Sequence, residues 1–256
     1  SSTFTRSPVL INGASRPVVE DNSFKGTDGP LSASSIDDLS GFVGNGATGS
    51  FGQRVLSFSS SDVKKPWTLA PSSTALYGLD GVTVTAEGTL TTEAGASIRT
   101  GGALKVYGTL NAVDTVFAPS SGVWRGIVAE LGSSVNISGG AIRYALIGVE
   151  ANPYYAESPL APWASVVVEG ADLSTNAFAI KNGPKDLIPS GRSVTATGNN
   201  LGGLPLERVS SHVHACADAE QPEIVVSRRI WDVNVGILDD VCPPGYVPVP
   251  EPGHWI

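Results

Sequence analysis

The sequence predicts an all-β chain whose middle winds as a right-handed parallel β-helix, a β-solenoid, between non-repeating N-terminal and C-terminal segments. Three observations carry that prediction. The 256 residues include thirty glycines and eighteen prolines, only 16% are charged, and short alternating strands recur with a glycine behind each. Average domains carry about 25% charged residues, so little is left here to solvate long surface helices. A hydrophobic fraction of 41% buries a sizeable core and excludes wholesale disorder.

Composition also excludes partners. A formal charge of −8 removes the counterion release that drives binding to phosphate backbones, so nucleic acid is not expected. No apolar run approaches the roughly 18 residues of a membrane span. The chain has no methionine, which implies that a leader has been removed, with a secretory signal peptide as the natural candidate.

Residues 1–73 show no repeat. Short strand candidates lie at 9–11, 18–19 and 55–58, with an acidic turn at Asp37 and Asp38. The expectation is an N-terminal cap or small β segment, because an uncovered first coil would recruit other chains through its strand edges. Gly44, Gly46 and Gly49 match the dinucleotide fingerprint in spacing, and Asp62 follows at a suggestive distance. That motif needs a helix N-terminus to hold pyrophosphate, and the residues after Gly49 lack helical apolar spacing. The stretch reads as a glycine-rich turn.

Residues 74–205 carry the repeat. SVNISGGAIRYALIGVE from Ser134 aligns without gaps on SVVVEGADLSTNAFAIK from Ser165, at an offset of thirty-one, with apolar positions on apolar positions. A third copy starts at Ser193, and the strand phrases ending in Gly88 and Gly108 extend the series backwards. Gly88, Gly108, Gly139, Gly170 and Gly198 are therefore expected to form one vertical file. Alternation buries one face of each strand, and glycine suits a sharp corner. A unit of twenty to thirty-one residues cannot bury its own apolar face, whereas stacked units can.

Phrases in this region carry a family likeness: Gly88-Thr89-Leu90, then Glu93 and Gly95, then Gly108-Thr109-Leu110, then Trp124, Gly126 and Ile127, and later Ala171 to Ile180. Over about half its length the chain resembles right-handed parallel β-helix repeat proteins of bacterial cell surfaces and secretions. The resemblance implies a secreted or surface-exposed bacterial protein. It specifies architecture rather than activity, since such coils serve adhesins, surface layers, polysaccharide-cleaving enzymes and phage spikes alike.

Candidate chemistry is sparse. Aligning Ile127 with Ile147 places Glu130 and Glu150 at equivalent positions, followed by Lys181 in the next coil. Stacked at about 4.8 Å, two carboxylates could act as acid and nucleophile on a glycoside. The plainer reading is a charge ladder that Lys181 neutralises, and no catalytic residue is favoured. The insertion at 152–163 offers Tyr154, Tyr155 and Trp163 as a platform for a surface glycan or a protein, or as a cover for the solenoid flank. Trp124 is expected to pack a corner. The outward columns, taken as Thr85, Lys105, Asn136, Val167, Thr195 and as Glu87, Tyr107, Ser138, Glu169, Thr197, show no regular threonine or acidic array. Asn136 begins a glycosylation sequon that matters only in a eukaryotic host.

Residues 206–256 read as a strap with a proline-rich end. Cys216 and Cys242 are expected to form a disulfide in an oxidising compartment. His212, His214 and Cys216 would make a zinc site only with a fourth ligand, which is not evident, so no metal is assigned. The three histidines lie outside the repeat, so no catalytic triad assembles, and no cofactor motif is present. The sequence thus supports a non-catalytic structural, adhesive or assembly module with a protein or glycan partner or further copies of itself. The alternative is a carbohydrate-active hydrolase or lyase, or a glycan-binding module.

Overall fold

The computed structural model describes residues 1–71, 75–151, 164–182 and 194–200, together with the strands His214–Asp218, Val225–Arg228 and Tyr246–Pro248. Three long parallel sheets build a β-solenoid. The first stacks Val9–Asn12, Leu31–Ser34, Val55–Ser59, Leu76–Asp80, Ser97–Thr100, Val116–Pro119 and Ala141–Ile142. The second stacks Asp62–Val63, Thr83–Val84, Ala103–Val106, Gly126–Ala129, Ile147–Ala151 and Phe178–Asn182. The third stacks Pro66–Leu69, Thr89–Thr92, Thr109–Val113, Ser134–Ser138, Ser165–Glu169 and Val194–Thr197.

Alternation in each strand becomes a column along the axis. On the first sheet Val9, Leu31, Leu56, Tyr77, Ile98, Phe117 and Ile142 lie in register, one per coil. On the third, Trp67, Leu90, Leu110, Val135 and Val166 do the same. Leu31, Leu56, Ile98, Phe117, Leu90, Leu110 and Val135 are wholly buried. Each such side chain stabilises the fold by about 1.5–3 kcal/mol, which such short strands could not achieve singly.

The parallel pairing does not begin at residue 74. Thr3–Thr5, Ser23–Lys25 and Gly46–Thr48 form a parallel sheet, Val19–Glu20 pairs with Phe42–Val43, and the first sheet starts at Val9. The segment expected as a cap is thus built as further coils of the same solenoid. Its repeat escaped sequence comparison because parallel pairing asks only for an inward apolar residue at register positions. The register partners there lie 20 to 25 residues apart, as in Thr3 with Ser23 and Leu31 with Leu56, and share no phrase.

The five glycines form two files rather than one. Gly88 and Gly108 precede third-sheet strands, and the Thr109 N–H donates to the Gly88 carbonyl. Gly139, Gly170 and Gly198 follow third-sheet strands, in left-handed conformation at φ 69°, 63° and 63°. The alignment had equated the second-sheet strand ending at Val106 with the third-sheet strand ending at Ser138. Both read apolar, polar, apolar, and period two does not distinguish one sheet from another.

Corners are closed by side-chain amides. Asn45 Nδ2 donates to the Val19 carbonyl, while its Oδ1 accepts from Asn22. Buried Asn176 accepts from the Ala145 N–H and donates to the Ile142 and Leu173 carbonyls. Asn199 repeats the device between Ala171 and Val168. Each amide replaces backbone partners that a turn would otherwise leave unpaired. Beyond the coils, His214–Asp218 sits between Val225–Arg228 and Tyr246–Pro248 in an antiparallel sheet, with Val225–Arg228 against Phe178–Asn182. No helix among the described residues is long and apolar enough to cross a membrane.

Candidate functional site

The second sheet places the charged residues that the sequence singled out. Lys105 pairs in register with Val128, Val128 with Glu150, and Glu150 with Lys181. Glu150 therefore lies next to Lys181, as expected, but its partner in the preceding coil is Val128 and not Glu130. The expected equivalence is off by two residues, since Ile127 pairs with Val149 rather than Ile147. A two-residue slip keeps every side chain on its own face, which is why the pattern concealed it.

Glu150 is 4% exposed and firmly held. Its Oε2 accepts from Arg125 Nε at 3.0 Å and Nη2 at 2.8 Å, and Lys181 Nζ lies 3.8 Å from Oε1. Arg125 stands immediately before the strand Gly126–Ala129, whose first residue has φ 113°. Glu130 is 6% exposed, and its Oε1 has no hydrogen-bond partner. Burial pushes its carboxyl above the ordinary range; Lys105 and Arg125 pull it back, and the charge of Glu150 adds to the rise.

A carboxyl biased toward its neutral form beside a fixed carboxylate is the electrostatic arrangement of an acid and base pair. Catalysis also needs an oxygen that a substrate can reach, and here both groups are cut off from solvent. Glu150 has its charge already spent on two cations. The arrangement ties three coils together through Arg125, Glu150 and Lys181.

A second polar knot was marked in the sequence only as an acidic turn. Asp38, 5% exposed, accepts from the Ser40 N–H and hydroxyl and the Lys64 N–H, with Arg16 Nε at 3.4 Å. Burial pushes this carboxyl up, but the Ser40 and Lys64 hydrogen bonds and the Arg16 charge outweigh it and leave it below the ordinary range. Arg16, Asp38 and Lys64 come from successive coils, so only the register brings them together. Lys64 also pairs with Asp37.

Correct register also redraws the outward face of the third sheet. One column reads Pro66, Thr89, Thr109, Ser134, Ser165, and its neighbour Thr68, Thr91, Asn111, Asn136, Val167. Asn136 Nδ2 donates to Asn111 Oδ1 at 3.0 Å. The expected columns mixed residues of two sheets and missed this one.

Trp124 packs a corner as expected, 1% exposed with Nε1 donating to the Arg143 carbonyl. The glycine-rich turn enters the strand Gly46–Thr48 and is followed only by the single turn Gly52–Arg54, which offers no helix end for phosphate. Tyr154, Tyr155, Trp163, His212 and Cys242 lie outside the described residues. Cys216 and His214 lie on the strand His214–Asp218, and their side chains are likewise outside the description. Among the described residues no group of three or more His, Cys, Asp or Glu is placed to hold a metal.

Comparison with protein families, curated proteins and solved structures gave no match. The likeness to β-helix repeat proteins accordingly holds at the level of architecture, a parallel β-solenoid.

Proposed function

We propose that this chain is a non-catalytic structural and assembly module, displayed outside a bacterial cell or secreted from it. One observation carries the reading: the two carboxylates that the sequence offered for chemistry are buried, and Glu150 is held across coils by Arg125 and Lys181. Low charge and abundant Ser, Thr and Gly suit an exported β-solenoid, whose function lies in presenting long regular faces.

Incubation with a panel of polysaccharides tests it. No reducing ends and no unsaturated products are expected. Release of either, abolished by Glu150→Gln in a variant that still folds, would replace the proposal with a carbohydrate-active enzyme. Glycan binding through Tyr154, Tyr155 and Trp163 is the neighbouring reading, and replacing all three by alanine reads it directly as a loss of affinity.

A further inference from the structure

We propose that the outward face of the first sheet, with the corner beyond it, is a docking surface for a protein segment that carries carboxylates among large apolar side chains. The inference names the partner chemistry of the assembly reading above and rests on it.

The surface begins with two arginines in one outward column. Register sets Arg99 between Gly78 of one neighbouring coil and Ala118 of the other. Arg143 follows Ile142, the partner of Phe117, and its N–H donates to the Phe117 carbonyl, so it stands beside Ala118 in the next coil. The two arginines are therefore about 10 Å apart along the axis, two strand spacings. Arg99 is braced by the Phe51 ring, whose centroid lies 5.8 Å from its Cζ, and its Nε is buried without a hydrogen-bond partner. Among the described residues neither arginine forms an ion pair. Two carboxylates that border this face are engaged elsewhere. Asp80 accepts from the Gly101 N–H and the Ser120 hydroxyl, and Asp172, which feels the Arg143 charge, accepts from Ser174 and Asn200. A chain of net charge −8 thus leaves two cations open on one face.

The apolar part of the surface is a corner. The bridge between Trp124 and Ala145 sets Val123 beside Tyr144 in the next coil, and Arg125 beside Leu146. Val123, Tyr144, Leu146 and Phe51 are each at least half exposed. Tyr144 directly follows Arg143 and stands at φ 55°. Left-handed backbone is unfavourable for so bulky a side chain, and the fold gains little from it because the ring is in solvent. Strain of this kind gathers at binding sites, and tyrosine with arginine is the composition of interface hot spots. The arginines call for carboxylates, which a guanidinium takes two oxygens at a time. Valine and leucine call for apolar side chains, which a polysaccharide lacks. A protein segment supplies both.

Fluorescence anisotropy with the full chain tests it, using a labelled random copolymer of glutamate and tyrosine, with polyglutamate and polygalacturonate for comparison. The copolymer is expected to bind in a salt-sensitive way, about tenfold or more tighter than either comparison. Arg143→Glu should weaken it about tenfold or more, while Lys65→Glu, at an exposed lysine of another corner, should leave it unchanged. Tyr144→Gly should weaken binding to the same degree without lowering the melting temperature, because glycine adopts that conformation freely. Amide exchange covers the event that a variant misfolds: in the unmodified chain the copolymer should slow exchange at Val123 and Tyr144. No binding, an equal loss with Lys65→Glu, affinity that survives Tyr144→Gly, or tightest binding to polygalacturonate would overturn the inference. A mass that doubles with concentration and reverts in Arg143→Glu would do so too, by giving the surface to a second copy. None of these outcomes depends on the polysaccharide cleavage assay, so the two proposals fail separately.

Discussion

The coils before residue 70 and those from Leu76 to Ile180 share one pairing rule and reach it by different chemistry. The later coils repeat short phrases such as Gly-Thr-Leu and fill their centre with Leu, Ile and Val columns. The earlier coils share no such phrase and lean on aromatic and polar contacts. Phe58 meets Phe42 and Trp67 edge-on at 5.1 and 5.2 Å, Trp67 Nε1 donates to the Phe42 carbonyl, and Asp38 gathers groups from three coils. The contrast teaches that a solenoid requires register rather than repetition. A chain can keep its strands in parallel stacks with any inward group that fills the space and satisfies the corner.

The sharpest way to break this comparison is to hollow out both regions. Trp67→Ala should cost about 3–5 kcal/mol and Leu110→Ala about 2–5 kcal/mol in denaturant unfolding, because both side chains are buried and their cavities cannot collapse between fixed coils. A cost below about 1 kcal/mol at Trp67 would mean that the earlier coils contribute little to the cooperative unit.

The two glycine files should separate next. A Cβ on Gly108 would run into the carbonyl oxygens of Thr85 and Gly88, which are backbone and cannot swing aside. Gly170 has nothing within 4 Å of that position and only its φ of 63° to protect it. Gly170→Ala should therefore cost about 1–2 kcal/mol, the usual penalty for a left-handed L-residue. Gly108→Ala should lower the melting temperature further than that. Equal costs would remove the distinction between close approach and positive φ.

The polar knots predict opposite responses to pH. Asp38 is held below its ordinary value, so its contribution is present above the unfolded-state pKa and is lost as pH falls through the folded one. Glu130 is pushed above its ordinary value, so the folded state retains its proton longer and stability falls as pH rises from the unfolded pKa to the folded one. Asp38→Ala should cost about 1.5–3 kcal/mol at pH 7, as hydrogen bonds to a charged group do, and less at pH 3. Glu130→Gln should be neutral or stabilising at pH 8, with no gain at pH 3. Unfolding free energies across that range check both signs.

The smallest effect lies on the outward face. Asn136→Ala removes a half-exposed amide from a cross-strand pair and should cost about 0.2–1 kcal/mol. A larger loss would show that the polar columns of the third sheet carry structure as well as surface.

How much could be foreseen differs by element. The parallel stacking of Ser134–Ser138, Ser165–Glu169 and Val194–Thr197 was legible residue by residue, since Val135, Val166 and Val194 fall in the register that the alignment assigned. Glu150 beside Lys181 was legible for the same reason. The partnership of Glu130 with Glu150 was misjudged because a slip of two residues leaves a period-two pattern unchanged. Arg125 went unnoticed as the clamp on Glu150, because it stands just outside its strand and reaches across a coil. Asp38 was visible as an acidic turn, but Arg16, Ser40 and Lys64 became its partners only through stacking.

By itself the sequence determined that this chain forms strands, which side of each faces inward, and that successive strands must stack in parallel. Those follow from local steric preference and from the inability of a twenty-residue unit to bury its own apolar side. Tertiary structure alone decided which coil lies on which, how far back toward residue 3 the stacking runs, and which charges meet. Hydrophobic alternation recurs every two residues, so many registers satisfy it equally, and corner geometry, close backbone approach and polar pairing choose among them.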